Sequence, residues 1–212
     1  MAFYPILIDW KDVPCLIAGG GTVALHKAEV LCNSGAAVTV VAPEVCPQLE
    51  ALPVTVIRRP VAAEDADDKR LVVDATGSIE AERLLCEACR LRGILFNSAC
   101  RVGEGTAIFP AVKQQGRTTV AVSTLGASPA ACALLRDELA AHVPETMDAI
   151  LEGMAALRPL SREWFDDQKT RKTFLHRCLN GMIKKERPLD PEETEVIRQE
   201  IINSKTKEEI RL

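Results

Sequence analysis

No stretch of this sequence approaches the ~20 consecutive apolar residues needed to cross a bilayer. Its opening eight residues carry no basic flank and run into Asp9 too soon for a secretory leader, so a cytoplasmic protein with no membrane partner is expected. Positive charge is not in excess: 26 Lys and Arg stand against 30 Asp and Glu, a net charge of −4. General nucleic-acid binding needs a basic footprint and is thereby excluded, although a local basic pocket for a small anion is not. The three histidines, His26, His142 and His176, show no metal-ligand spacing. Cys86 and Cys89 form a C-x-x-C inside a helical pattern, but a zinc knuckle wants a second pair and none exists. No resident metal is expected. Most of the eight cysteines, Cys15, Cys32 and Cys132 among them, sit in apolar contexts where a thiol behaves as a small hydrophobe. There is no internal repeat.

What is present is a 212-residue chain that is 47% hydrophobic, enough for a real core in one compact domain plus a smaller one. Its most informative run is Leu16-Ile17-Ala18-Gly19-Gly20-Gly21-Thr22-Val23-Ala24, which reads as a buried strand, a glycine turn and the first turn of a helix. Gly19, Gly21 and Ala24 fill the small-residue places of the dinucleotide fingerprint. Gly19 permits a tight turn, Gly21 lets backbone approach a pyrophosphate, and Ala24 lets the helix lie close on the strand. The free N–H groups of that helix start then point at the phosphates. A second β-branched strand follows over 36–41, and Glu44 lies beyond it, where a carboxylate accepts hydrogen bonds from ribose hydroxyls. No Arg or Lys follows Glu44 closely to meet a 2′-phosphate, which favours NAD over NADP.

Further strands are expected over 54–57, 70–76 and 94–97, with helices between them. This alternation means an α/β fold with a parallel, doubly wound sheet. Ligands on such sheets collect at the carboxyl ends of the strands, so the turns at Gly19, Ala42, Thr76 and Asn97 should share one crevice. From Thr106 the character changes. Two strands are expected over 108–112 and 118–123, joined near Gln115-Gly116. A helix over 130–142 follows, with Ser128 as N-cap and Pro129 at its first position. Its Leu134, Leu135 and Leu139 lie on one stripe, as in a core or dimer helix. The remainder is helical, with Ser161 read as a cap and Asp190 to Glu193 as a capping box.

At this point the chain resembles the bifunctional precorrin-2 dehydrogenase/sirohydrochlorin ferrochelatase family, the N-terminal module of siroheme synthase. The matching segments are Tyr4-Pro5-Ile6, the glycine run through Lys27, residues 38–44, Asp74-Ala75-Thr76, Phe96-Asn97, Ile108-Phe109-Pro110-Ala111 and residues 120–129. The resemblance implies a Rossmann-like NAD-binding domain over 1–110, a small α+β dimerisation region over 111–145 and a helical C-terminal domain over 146–212. It implies a homodimer that uses NAD to convert precorrin-2 to sirohydrochlorin and, in many members, inserts ferrous iron. By position Thr22, Val23, Pro43 and Glu44 match NAD contacts and Ser123 matches a serine of the active-site region; Thr76 joins the cofactor set. Precorrin-2 bears many carboxylates, so Asn97, Arg101, Lys113, Arg117 and Ser128, with Arg136 nearby, are its candidate contacts.

One departure stands out. Where family members carry a proton-accepting aspartate after the fifth strand, this chain has Cys100, with Arg101 beside it. Three readings follow. Cys100 is the base, its thiol pKa lowered by Arg101; or Glu104 substitutes; or the chain binds NAD or tetrapyrrole without turning it over. A generic Rossmann oxidoreductase for a small substrate is the remaining rival, and residues 120–129 speak against it.

Overall fold

The computed structural model describes residues 3–99 and 105–209. By its internal contacts the chain divides into two units, Met1–Pro110 with Ser123–Ser128, and Ala111–Val122 with Pro129–Leu212.

In the first unit β1 (Pro14–Ala18), β2 (Ala37–Val41), β3 (Thr55–Ile57), β4 (Leu71–Asp74) and β5 (Leu95–Ser98) form one parallel sheet in the order β3-β2-β1-β4-β5. Three helices accompany them: α1 (Thr22–Asn33), the short α2 (Pro47–Glu50) and α3 (Ile79–Arg92). Both faces of the sheet are covered, which is why its strands read as continuous apolar runs rather than alternating ones. Along β1, Cys15 and Ile17 join Val38, Val40, Leu71 and Val73 beneath Ala24, Ala28 and Leu31 of α1. Leu16 and Ala18 face the other way, with Val41, Val72 and Phe96, toward Leu85, Ala88 and Cys89 of α3. Leu16 and Ile17 are fully buried, each worth roughly 1.5–3 kcal/mol over exposure. Alanines at 24 and 28 bring α1 close to the sheet. The Rossmann-like fold read from the sequence is thus the fold observed.

In the second unit β6 (Ala111–Gln115) and β7 (Thr118–Val122) pair antiparallel, and α4 (Pro129–Ala141) packs on them. The turn is Gly116-Arg117, with Gly116 at φ +54° and the Arg117 N–H donating to Asp148 at 2.9 Å. Helices α5 (Met147–Trp164), α6 (Gln168–Lys185) and α7 (Pro191–Glu209) enclose Ile150, Leu157, Phe174, Cys178, Met182 and Ile201. The expected capping box closes: Glu193 N–H donates to Asp190 at 2.9 Å and Asp190 N–H to Glu193 at 3.0 Å. No helix among the described residues is long and apolar enough to cross a membrane.

Two local expectations need correction. The strand expected over 108–112 begins at Ala111 instead. Pro110 has no N–H to give a ladder, and Phe109 packs against the sheet core rather than pairing. Ser161 is not a cap: it lies inside α5, buried, and its hydroxyl donates back to the Arg158 carbonyl at 2.7 Å. The cap that follows is Asp167, which accepts from Thr170 N–H at 2.8 Å to start α6.

Candidate functional site

The three glycines after β1 do different work. Gly19 has φ +117°, and a Cβ there would stand 2.4 Å from the Ala75 carbonyl oxygen. Its N–H donates to Val41 at 3.0 Å, joining the ends of β1 and β2. Gly20, an unspecified position in the fingerprint, is as tightly held: a Cβ there would lie 1.9 Å from the Glu44 carbonyl oxygen, and Cys46 N–H donates to Gly20 at 2.9 Å. Residues 44–46 therefore fold onto the glycine turn. Gly21 is the opposite case, with nothing within 4 Å of a built Cβ. As N-cap of α1 it offers no capping side chain, and the first turn holds no acidic residue. Thr22 and Val23 stand exposed at this helix start.

This cradle fits a dinucleotide. A diphosphate needs unblocked N–H groups at a helix start and bare backbone to approach, and the open side of Gly21 offers both. Glu44 is exposed directly after Pro43, beside the turn, as ribose recognition requires. Ala42 N–H donates to Ile57 at 3.2 Å, so the ends of β2 and β3 are adjacent. The two cations that leave β3 there are committed: Arg58 pairs with Glu50, and Arg59 grips Asp65 through two bonds of 2.5 and 2.7 Å. Neither Arg58 nor Arg59 is therefore left without a carboxylate partner beside the end of β3.

At the end of β4, Asp74 is only 1% exposed and accepts from the Thr76 N–H at 3.1 Å and its hydroxyl at 2.7 Å. Thr76 in turn accepts from Ser78 N–H at 3.1 Å. Ser78 caps α3, accepting from Ala81 N–H at 3.3 Å. Burial raises the Asp74 pKa above the usual carboxylate range, with the negative charge of Glu82 adding to it and the Thr76 bonds opposing. Glu82 is itself buried and accepts from the Ser98 hydroxyl at 2.6 Å. The residue signals for Asp74, Glu82 and Ser98 were weak in the sequence, because only strand register brings them together.

Asn97 on β5 is 7% exposed; its amide nitrogen donates to the Ala107 carbonyl at 2.9 Å, while its Oδ1 has no donor. Cys100, Arg101 and Glu104 lie outside the described residues. Their flanks are pinned to the sheet: Ala99 N–H donates to Asp74 at the end of β4 at 2.9 Å, and Thr106 N–H to Phe96 within β5 at 2.8 Å. Ser123 is exposed, its hydroxyl accepting from Leu125 N–H at 3.1 Å. Thr124 and Ser128 close a loop, with Ser128 N–H donating to the Thr124 hydroxyl at 3.0 Å, and Leu125 within it sits at φ +53°. Lys113, Arg117 and Arg136 belong to the second unit. There Lys113 lowers the Asp137 pKa behind the dominant Arg136 bond, and Arg117 stands 4.0 Å from Glu152. Gly19, Gly21, Pro43, Glu44, Thr76 and Asn97 thus gather in the first unit. Among the described residues no group of three or more His, Cys, Asp or Glu could hold a metal.

Comparison with known proteins finds relatives over most of the chain. A family described as putative NAD(P)-binding matches residues 6–111. The siroheme synthase of Thioalkalivibrio sulfidiphilus is 34% identical over 187 residues, 86% of this chain and 38% of its own length. That of Methylococcus capsulatus is 34% identical over 185 residues, 85% of this chain and 39% of its own length. The chain therefore spans about two fifths of the siroheme synthases it matches. A solved structure of SirC, precorrin-2 dehydrogenase, superposes with a TM-score of 0.66 at 26% identity, covering 95% of this chain and all of that one.

Proposed function

Since the chain belongs to the putative NAD(P)-binding family and aligns with siroheme synthases over most of its own length, we propose that it is an NAD-dependent precorrin-2 dehydrogenase of siroheme biosynthesis. The observation that carries this reading is the glycine cradle, closed on Gly19 and Gly20 and open on Gly21, in a chain that matches a precorrin-2 dehydrogenase over 95% of its length.

When bound, NAD accepts the hydride that leaves precorrin-2. The chain's own groups do the rest. First-turn N–H groups at Thr22 and Val23 hold the diphosphate, and Glu44, after Pro43, takes ribose hydroxyls. Asp74 fixes the Thr76 hydroxyl as a donor to itself and Ser78 N–H takes one lone pair, so Thr76 presents a single acceptor lone pair to a ligand. Oxidation to sirohydrochlorin also releases a proton, which passes to a base. Cys100 and Glu104 are the candidates, in the stretch of sequence between Ala99, bonded to β4, and Thr106, bonded to β5. Arg101, Ser123 and Ser128 are the proposed contacts for substrate carboxylates from the first stretch of the chain, and Lys113 and Arg117 are the candidates that the second unit offers. We include in the proposal a cytoplasmic homodimer and insertion of ferrous iron, as substrate, into sirohydrochlorin.

The test is one anaerobic cuvette. Purified protein, precorrin-2 and NAD should give NADH absorbance and the sirohydrochlorin spectrum together, and added ferrous iron should then give the siroheme spectrum. Folded protein that binds both ligands yet shows no turnover at any pH overturns the dehydrogenase in favour of a non-catalytic tetrapyrrole carrier. Absence of the last step alone removes only the chelatase.

A further inference from the structure

Lys27 lies in the second turn of α1, and its Nζ sits 4.2 Å from the centre of the Phe109 ring. The side chain is half-buried, and burial alone lowers its pKa. Among the described residues no carboxylate, carbonyl or hydroxyl accepts from this ammonium, and its partner is the ring. A ring face attracts the charge but leaves the three N–H donors unserved. Removing such a group from water without an acceptor is costly. Side chains on a helix lean toward its N-terminus, so the ammonium is displaced toward the mouth of the glycine cradle.

Phe109 belongs to the segment that returns to the sheet after residue 104. Phe96 N–H donates to Thr106 Oγ1 at 2.9 Å, and Ala107 N–H donates to Phe96 at 3.0 Å. Asn97 grips the same segment through Ala107 and keeps an unserved acceptor, Oδ1. Asn97 pairs in register with Val73, whose side chain lies on the face beneath α1. An unserved cationic donor and an unserved buried acceptor therefore flank one segment on one face of the sheet.

We infer that Lys27 is a substrate-binding residue that takes a carboxylate of the polycarboxylate macrocycle, while Asn97 Oδ1 accepts one N–H of the same bound ligand. The inference rests on the dehydrogenase reading. The Phe109 ring covers one side of the ammonium, and a carboxylate completes the other. The diphosphate already has the free N–H groups of the helix start.

The experiment is equilibrium binding of sirohydrochlorin, read by quenching of its fluorescence without NAD, to the wild type, Lys27→Met and Lys27→Arg. Parallel calorimetric titrations with NAD serve as control. Methionine keeps the stem and the ring contact but removes the charge, and should weaken macrocycle binding roughly ten- to hundredfold. Arginine should restore most of it, and NAD affinity should stay within about twofold. The salt dependence of macrocycle binding should flatten in Lys27→Met, and Lys27→Gln repeats the comparison with an uncharged polar group. Equal sirohydrochlorin affinity in wild type and Lys27→Met overturns the inference. So does loss of NAD affinity in place of macrocycle affinity, which assigns the ammonium to the diphosphate. Failure of the wild type itself to bind sirohydrochlorin brings down the dehydrogenase reading instead.

Discussion

Gly19 and Ala75 approach so closely that a Cβ on the glycine would stand 2.4 Å from the carbonyl oxygen of the alanine. Gly19→Ala must therefore push the ends of β1 and β4 apart, and it adds the strain of a side chain at φ +117°. We expect a loss of about 2 kcal/mol or more, a fall of roughly 4–8 °C in melting temperature for a chain of this size. Gly21→Asp should behave oppositely. Its Cβ meets nothing, and aspartate is a good N-cap, so the melting temperature should hold. NAD affinity should nevertheless fall by roughly a hundredfold or more, because a carboxylate would face the diphosphate. Thermal scans and calorimetry on the two variants separate fold from binding.

Asp74 supplies a pH prediction. Its folded pKa is raised, chiefly by burial, above the unfolded value. A carboxyl of this kind favours the folded state while protonated, and that contribution is lost as pH rises through the folded pKa. Asp74→Asn keeps an acceptor oxygen for both Thr76 bonds and removes the buried charge. The variant should melt higher than wild type at pH 7, and the difference should shrink as pH falls below the carboxyl range. A gain that grows toward low pH would contradict the assignment.

The buried thiols predict a chemical footprint. Burial pushes Cys15, Cys89 and Cys178 up to about 11. At pH 8 each is then ~0.1% thiolate, roughly a hundredfold below an ordinary thiol of pKa 9.0. Iodoacetamide should leave these three unmodified in native protein and label them at once in denaturant. Cys15 and Cys178 belong to different units, so mass spectrometry along a denaturant series should report the opening of each unit separately.

The proton acceptor is decided by three variants. General-base assistance contributes typically ~10²–10⁴-fold. If Cys100 is the base, Cys100→Ala should lose a factor of this order in kcat while Cys100→Asp retains or improves it. If Glu104 is the base, Glu104→Gln should carry the loss and Cys100→Ala should change little. Melting temperature and NAD affinity should stay near wild type in all three, since the substitutions leave the glycine cradle intact.

The sheet was legible because burial on both faces makes its strands continuous apolar runs, and the cradle because Gly19, Gly21 and Ala24 are adjacent in sequence. What escaped depends on residues far apart in the chain. Gly20 is held by the backbone of residues 44–46, which no local pattern reveals. Asp74, Glu82 and Ser98 meet only through strand register and the placement of α3. Lys27 becomes conspicuous only when Phe109 is seen over it. The misplaced strand at 108–112 has the same origin, since Ile108 and Phe109 look like strand residues but Phe109 packs into the core. Ser161 misled because a serine that donates back inside a helix and one that caps its start look alike in sequence.

The last prediction concerns α4. Leu134, Leu135 and Leu139 are 65%, 41% and 53% exposed, and Val112 on the neighbouring β6 is 48% exposed. Single exposed leucines are ordinary, but three on one helix beside an exposed valine form an apolar surface that water disfavours. The proposed homodimer gives it a cover: a second copy of the same face, as two-fold symmetry requires. Leu134→Glu with Leu139→Lys should leave the monomer fold unharmed, because neither side chain is buried. It should weaken self-association by roughly a hundredfold or more, since each apposed charge would be desolvated. Light scattering across a micromolar dilution series should then give a dimer for wild type and a monomer for the variant. A wild type that remains monomeric throughout would remove the dimer from the proposal while leaving the NAD cradle, which lies wholly within one chain, untouched.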